Sequence, residues 1–213
     1  ARESRGLSQK DLSIKLGIKQ GTLSKIENEF LSVDEMLVEN LSEILNYPLA
    51  FFYQKRDVHL VSGHYRKKIT LSQKEVRMQQ SKMTILEWHI EKLISSVELP
   101  EANLPKWNCD YDGSPDVCAN YIREYWKIPR GRIDDLTKII EDNGIVVIPM
   151  DLGKLDGFSV FSQSGVPVIF VNKYMSGDRH RFNLAHELGH LIMHFAQKVD
   201  ESRDIETEAH LFA

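Results

Sequence analysis

At 213 residues, with 42% hydrophobic side chains and a formal net charge of −4, the chain is long enough for two small globular domains and has neither a disordered nor a disulfide-framework composition. No apolar run reaches the length of a bilayer span, and the charged opening Ala1-Arg2-Glu3-Ser4-Arg5 has no export character. Cys109 and Cys118 have no further cysteines to make a zinc knuckle or a disulfide framework and read as cytosolic thiols. The expectation is a cytoplasmic protein with no membrane partner.

The charge is unevenly spread along the first fifty residues. Arg2, Arg5, Lys10, Lys15, Lys19 and Lys25 outnumber Glu3 and Asp11, after which Glu27, Glu29, Asp34, Glu35, Glu39 and Glu43 follow with no basic residue among them. One face of this segment is therefore suited to phosphates. Ser8 caps a short helix through Leu16, Gly17-Ile18 makes a tight turn, and a second helix runs from about Lys19 to Asn28. This is the spacing of a helix-turn-helix.

The stretch from Arg5-Gly6-Leu7-Ser8-Gln9 through Leu23-Ser24-Lys25-Ile26-Glu27-Asn28 resembles the Xre/Cro-type DNA-binding domain over residues 1 to about 54. The resemblance implies that double-stranded DNA is a partner. By it, Gln9 braces a phosphate at a helix N-terminus, Gln20, Thr22 and Lys25 face the major groove, and Ser24 meets the backbone. Glutamine reads adenine and lysine reads guanine most readily. Gly21 departs from the pattern by offering no side chain where a reader often stands, and the first helix begins at Ala1 without the turn or two that precede it in the family. The bland alternative for any one of these residues is a charged surface helix.

Asp34 to Asn46 and Pro48 to Tyr53 complete the small helical domain, and Lys55 to Ile69 reads as a basic linker. Ser72-Gln73-Lys74-Glu75 is a capping box that opens a long helix. Val76, Met83, Ile90 and Val97 fall seven apart along it, with Leu86 and Leu93 between and Gln79 interrupting the seam. Such a seam could pair two subunits into a homodimer, but so short a heptad run with a polar interruption is expected instead to pack on the chain's own C-terminal domain.

The rest reads as α+β. One helix is capped at Ser114-Pro115, another spans about Asp134 to Asp142 and ends at Asn143-Gly144, and Ile145 to Ile148 form a strand. Two further strands, Gly157 to Ser162 and Val166 to Asn172, are joined by Gln163-Ser164-Gly165 as a hairpin. The second of these, with Val168, Phe170 and Asn172, is expected to be the sheet edge to which an extended substrate adds, since Pro167 suits an edge better than a central strand.

His186-Glu187-Leu188-Gly189-His190 is the most specific chemical signal. On a helix, residues four apart share a face about 6 Å apart along the axis, so two imidazoles can bind one cation, while Glu187 is turned toward where water and a scissile carbonyl would meet. Leu184, Ala185, Leu188, Leu191 and Ile192 make this a buried helix. A core helix with two hydrogen-bonded histidines is the plain alternative. A catalytic zinc needs one more protein donor. His194 lies roughly 12 Å along the axis from His186, too far to share the metal. Downstream, Glu206 and Glu208 point to different sides of a second helix, so only one of them should reach the site, and His210 is a rival.

Arg181-Phe182-Asn183-Leu184-Ala185-His186-Glu187-Leu188-Gly189-His190, with His194 and Glu208-Ala209-x-x-Phe212-Ala213, resembles the ImmA/IrrE metallopeptidases from about Ser114 onward. The resemblance implies Zn(2+) held by His186, His190 and Glu208, Glu187 as general base, a protein substrate of the repressor kind, and a second metal-site helix continuing past Ala213. Histidine at 210 stands where the family usually has asparagine. Tyr174, His180 and His210 are open choices for stabilising the oxyanion. The expected architecture is α+β: an all-α helix-turn-helix domain (1–54), a basic linker and long helix (55–113), and a zincin-like α+β metallopeptidase domain with a small sheet (114–213). The expected function is a DNA-binding regulator with zinc endopeptidase activity. The alternative is a transcription regulator whose peptidase-like domain only senses a ligand or partner.

Overall fold

The computed structural model describes residues 1–54, 72–153, 155–195 and 202–213; the expected basic linker, Lys55 to Ile69, lies outside them. The chain divides into two compact units, 1–89 and 90–213.

In the first unit a short 3₁₀ turn, Glu3–Arg5, precedes α1 (Gln9–Leu16) and α2 (Gln20–Glu27). Ser8 and Asp11 cap α1 reciprocally, Ser8 Oγ accepting from the Asp11 amide and the Asp11 carboxylate accepting from the Ser8 amide. Gly17, at φ 68°, takes the left-handed conformation that turns the chain between the two helices at little steric cost. Helices α3 (Glu35–Leu45) and α4 (Leu49–Phe52) close the bundle over Leu12, Leu23 and Leu45. α5 (Gln73–Ile94) opens with the expected capping box between Ser72 and Glu75. Up to His89 the helix belongs to the first unit, where Trp88 meets the Phe51 ring edge-on at 6.1 Å and Ser81 bonds to Glu3.

The second unit adds α6 (Pro115–Tyr125), α7 (Leu136–Asp142), β1 (Val146–Met150), β2 (Gly157–Phe161), β3 (Pro167–Asn172), α8 (Gly177–Met193) and α9 (Ile205–Phe212). β1 runs past the expected Ile148 because Pro149 and Met150 still pair with Val171 and Asn172. The β2–β3 hairpin turns at Gly165 (φ 84°), as its sequence suggests.

The sheet order is β1-β3-β2, with β3 parallel to β1 and antiparallel to β2. β3 is thus the central strand, and the expectation that it forms the substrate edge is overturned. Val168 is paired on both sides, with Val146 and Val160; Phe170 likewise, with Ile148 and Phe158; and Asn172 pairs with Met150 while its amide donates to the Asp156 carbonyl. Pro167 is tolerated because it is the first residue of β3 and lies before the β1 pairing begins at Val168. Every residue of β3 is buried. Ile169 and Val171 join Leu184, Leu188, Leu191 and Ile192 of α8 in the core, so the sheet is the platform that fixes α8.

Among the described residues no strand covers the other side of β2. The β2–β3 ladder is bracketed by hydrogen bonds from Ser162 N to the Val166 carbonyl and from Asn172 N to the Asp156 carbonyl. Antiparallel pairs alternate, so Phe158 and Val160 turn their backbone groups to β3, and Gly157, Ser159 and Phe161 turn theirs outward.

Candidate functional site

α8 is amphipathic in an unusual sense, because its buried face carries polar groups. Asn183, His186, Glu187 and His190 are buried on it, and His194, just past its end, is 1% exposed. Burying so many polar groups costs free energy unless each has a partner or a ligand. The imidazoles of His186 and His190 face one another with Nε2 atoms 3.2 Å apart. Glu206 of α9 completes the group, its carboxylate oxygens 3.7 Å from His186 Nε2 and 3.6 Å from His190 Nε2. One ligand atom from each of the three lies within 4.8 Å of the others.

The third member of this cluster differs from the one that family resemblance implies. Glu208 lies on another side of α9. His194 Nε2 is 2.9 Å from its Oε2, and Arg203 grips both oxygens, Nε to Oε1 at 2.9 Å and Nη2 to Oε2 at 2.6 Å. Burial works to raise the Glu208 pKa, but the bonds from Arg203 and His194 outweigh it and hold the carboxyl below its ordinary range. Two residues along a helix rotate a side chain by about 200°, so when Glu206 faces the imidazoles Glu208 cannot. His210, the rival ligand, is exposed and sits edge-on to Phe182 at 4.8 Å.

Two glycines set the approach of these elements. A Cβ on Gly189 would lie 3.0 to 3.3 Å from the Phe212 side chain, so this position lets α9 close onto α8 and brings Glu206 to the histidines. A Cβ on Gly157 would meet Asn183 Nδ2 at 2.7 Å and the Phe170 carbonyl at 2.8 Å, so its absence lets α8 approach the sheet beside Glu187.

Glu187 points toward β2, where Ser159 Oγ donates to its Oε2 at 2.9 Å. Burial pushes its carboxyl up to about 7, against the opposing influence of His186 and the Ser159 hydrogen bond. A carboxyl poised near neutrality can both take and return a proton. Ser159 is buried and had no signal in the sequence beyond lying on a strand. His194 did have one, since its four-residue spacing from His190 is the spacing that makes helical neighbours. Of the three groups considered for an oxyanion, Tyr174 is exposed with Lys173 over its ring, His180 is half-buried, and His210 lies against Phe182.

In the first unit the expected DNA-contacting residues lie on α1 and α2. Gln20 and Lys25 are exposed, Thr22 and Ser24 half-buried, and Gln9 sits at the start of α1, its Nε2 donating to Glu27 at 2.7 Å. Lys10, Lys15 and Lys19 are exposed as well. Arg2 and Arg5 make contacts within the domain. Arg2 binds Glu27 and the Leu7 carbonyl, while Arg5 binds the Leu45 and Asn46 carbonyls and lies 4.2 Å above the Tyr47 ring.

Fold and site together define a helix-turn-helix unit followed by an α+β unit built around a His-Glu-x-x-His helix. The family described as helix-turn-helix matches residues 1–52, and the peptidase family described as the IrrE N-terminal-like domain matches residues 140–213. The chain is an N-terminal helix-turn-helix fused to an ImmA/IrrE-type domain. No curated protein and no solved structure matches it.

The donor set fits a zinc ion. Two imidazole nitrogens and one carboxylate are a usual set for catalytic zinc, leaving a coordination position for water, and the three converge from two helices. Among the described residues no helix is long and apolar enough to cross a membrane.

Proposed function

We propose that this protein is a DNA-binding transcriptional regulator that acts in the cytoplasm as a zinc-dependent endopeptidase, with a repressor protein as substrate. The observation that supports it best is Glu187, buried against Ser159 beside His186, His190 and Glu206. His186, His190 and Glu206 would hold Zn(2+). When bound, zinc supplies Lewis-acid activation of water and of the scissile carbonyl. Glu187 accepts the proton of the attacking water on its carboxylate and returns it to the leaving amine. Ser159 fixes the carboxylate, and the apolar surroundings of α8 keep bulk water away. An extended substrate would add to the outward backbone groups of Gly157, Ser159 and Phe161 on β2, one strand away from Glu187.

Full-length protein loaded with zinc is expected to cut a repressor encoded beside it at one site, with cleavage lost on chelation and restored by zinc. Zinc uptake with no cleavage of the repressor or of extended peptides would favour the regulator that senses a ligand or partner without proteolysis.

For the helix-turn-helix domain, Gln20, Thr22 and Lys25 are proposed to read the major groove, with Ser24 and Gln9 on phosphates. Because Arg2 and Arg5 are engaged within the domain, the counterions displaced come from the lysines, Lys10, Lys15, Lys19 and Lys25. The slope of log affinity against log salt should be close to −0.9 for each lysine that meets a phosphate, roughly −4 at most per chain. Gln20→Ala should cost on the order of 1–3 kcal/mol at a matched site and relax specificity there, whereas Gln9→Ala should weaken specific and random duplexes alike. Fluorescence anisotropy on both duplexes measures this. An unchanged specific-to-random ratio in Gln20→Ala removes Gln20 as a reader.

A further inference from the structure

The hydrogen bonding of His190 does not end at its own ring. Its Nδ1 lies 2.9 Å from His194 Nδ1, and His194 Nε2 lies 2.9 Å from Glu208 Oε2. Arg203 then holds Glu208 through two parallel bonds and reaches Asp110 at 3.4 Å. His194 is 1% exposed, so water does not replace these contacts.

With a cation at His190 Nε2, one arrangement of protons satisfies both of these imidazole hydrogen bonds. If His190 Nε2 offers its lone pair to a cation, His190 Nδ1 carries the proton and must donate it in a hydrogen bond. His194 Nδ1 is the acceptor facing it, so the His194 proton sits on Nε2, where the Glu208 carboxylate accepts. Arg203 supplies the charge that keeps Glu208 an acceptor. The other His194 tautomer would set two N–H groups against one another at His190 and leave Glu208 facing a lone pair.

We propose that His194 and Glu208 are positioning residues that lock the tautomer and ring orientation of His190 for zinc, Glu208 acting through His194 and never as a ligand. This rests on the reading of His186, His190 and Glu206 as the zinc site. Hydrogen bonds behind a metal-bound imidazole make it more basic and fix its aim, and their loss commonly weakens metal binding by about 10–100-fold.

The test is a double-mutant cycle on the full chain, with zinc affinity read by competition with a chromophoric chelator. His194→Gln and Glu208→Gln should each bind zinc about 10–100-fold more weakly. The double variant should be no weaker than the worse single one, because both substitutions break the same link. Losses that multiply mean that Glu208 reaches the metal independently of His194, and they overturn the proposal, as does unchanged affinity in either single variant. Long-range proton–nitrogen NMR on the wild-type imidazoles gives a second readout that needs no variant to fold. The expected protons are on His190 Nδ1 and His194 Nε2, and a His194 protonated at Nδ1 overturns the lock. A wild-type chain that takes up no zinc overturns the metal-site reading and this proposal with it, whereas zinc held equally tightly by the variants overturns this proposal alone.

Discussion

Glu187→Gln will leave zinc content unchanged and lower peptide cleavage by about 100- to 10,000-fold, the contribution expected of a positioned general base. Glutamine has nearly the same shape, and its amide oxygen can still accept from Ser159 Oγ, so the fold is kept while the proton acceptor is lost. Wild-type cleavage rates in this variant would falsify the assignment of Glu187 as the base. The same substitution has a second, opposite effect on stability in the metal-free protein. With its carboxyl raised from 4.5 to about 7 by burial, folded Glu187 holds a proton that the unfolded chain has already released. The stabilisation is complete below pH 4.5 and is lost as pH rises through 7, on the order of 3 kcal/mol at about 1.4 kcal/mol per unit. Glu187→Gln removes this loss, so the metal-free variant should melt higher than wild type at pH 8 and show a flatter profile between pH 5 and 8. Parallel profiles for the two proteins would show that the buried carboxyl is not the group responsible.

Glu206→Ala will weaken zinc binding by more than about 100-fold, beyond the loss expected from removing a supporting hydrogen bond around a metal. Its carboxylate is the only one that closes the group with His186 and His190 among the described residues. His210→Ala should leave zinc affinity unchanged, since that ring is turned onto Phe182 in an exposed position. Elemental analysis of the dialysed proteins separates these outcomes. Zinc retained by Glu206→Ala and lost from His210→Ala would reverse the assignment.

The difference between Glu206 and Glu208 shows where one-dimensional reading stops. Sequence makes clear that two carboxylates two residues apart on a helix cannot share one site, since a rotation of about 200° separates them. It does not say which of the two faces α8. That depends on the roll of α9, fixed by Phe212 packing against Gly189 and by the buried Ala209. Family resemblance implied Glu208, and the structure gives that residue to His194 and Arg203 instead. The sheet edge is a similar case. β2 and β3 are both legible as strands, and Gly165 marks their hairpin, but no local signal tells which of them β1 will join. Parallel pairing of β1 with β3 decided it, making Val168, Phe170 and Asn172 central and leaving β2 at the edge beside Glu187.

What the sequence determined by itself is therefore local. The capping boxes at Ser8 and Ser72, the left-handed turn at Gly17, and the four-residue spacing of His186 and His190 all act within one or two helical turns, over which backbone geometry is nearly fixed by residue type. What tertiary structure decided is every partnership between elements: Arg2 bonded to Glu27 and Arg5 to backbone carbonyls, α5 grouped with the first unit up to His89, Ser159 placed behind Glu187, and Glu206 turned to the histidines. Those choices follow from side-chain packing at helix and sheet contacts far apart in sequence, where a rotation of a single element exchanges one neighbour for another without changing any local preference.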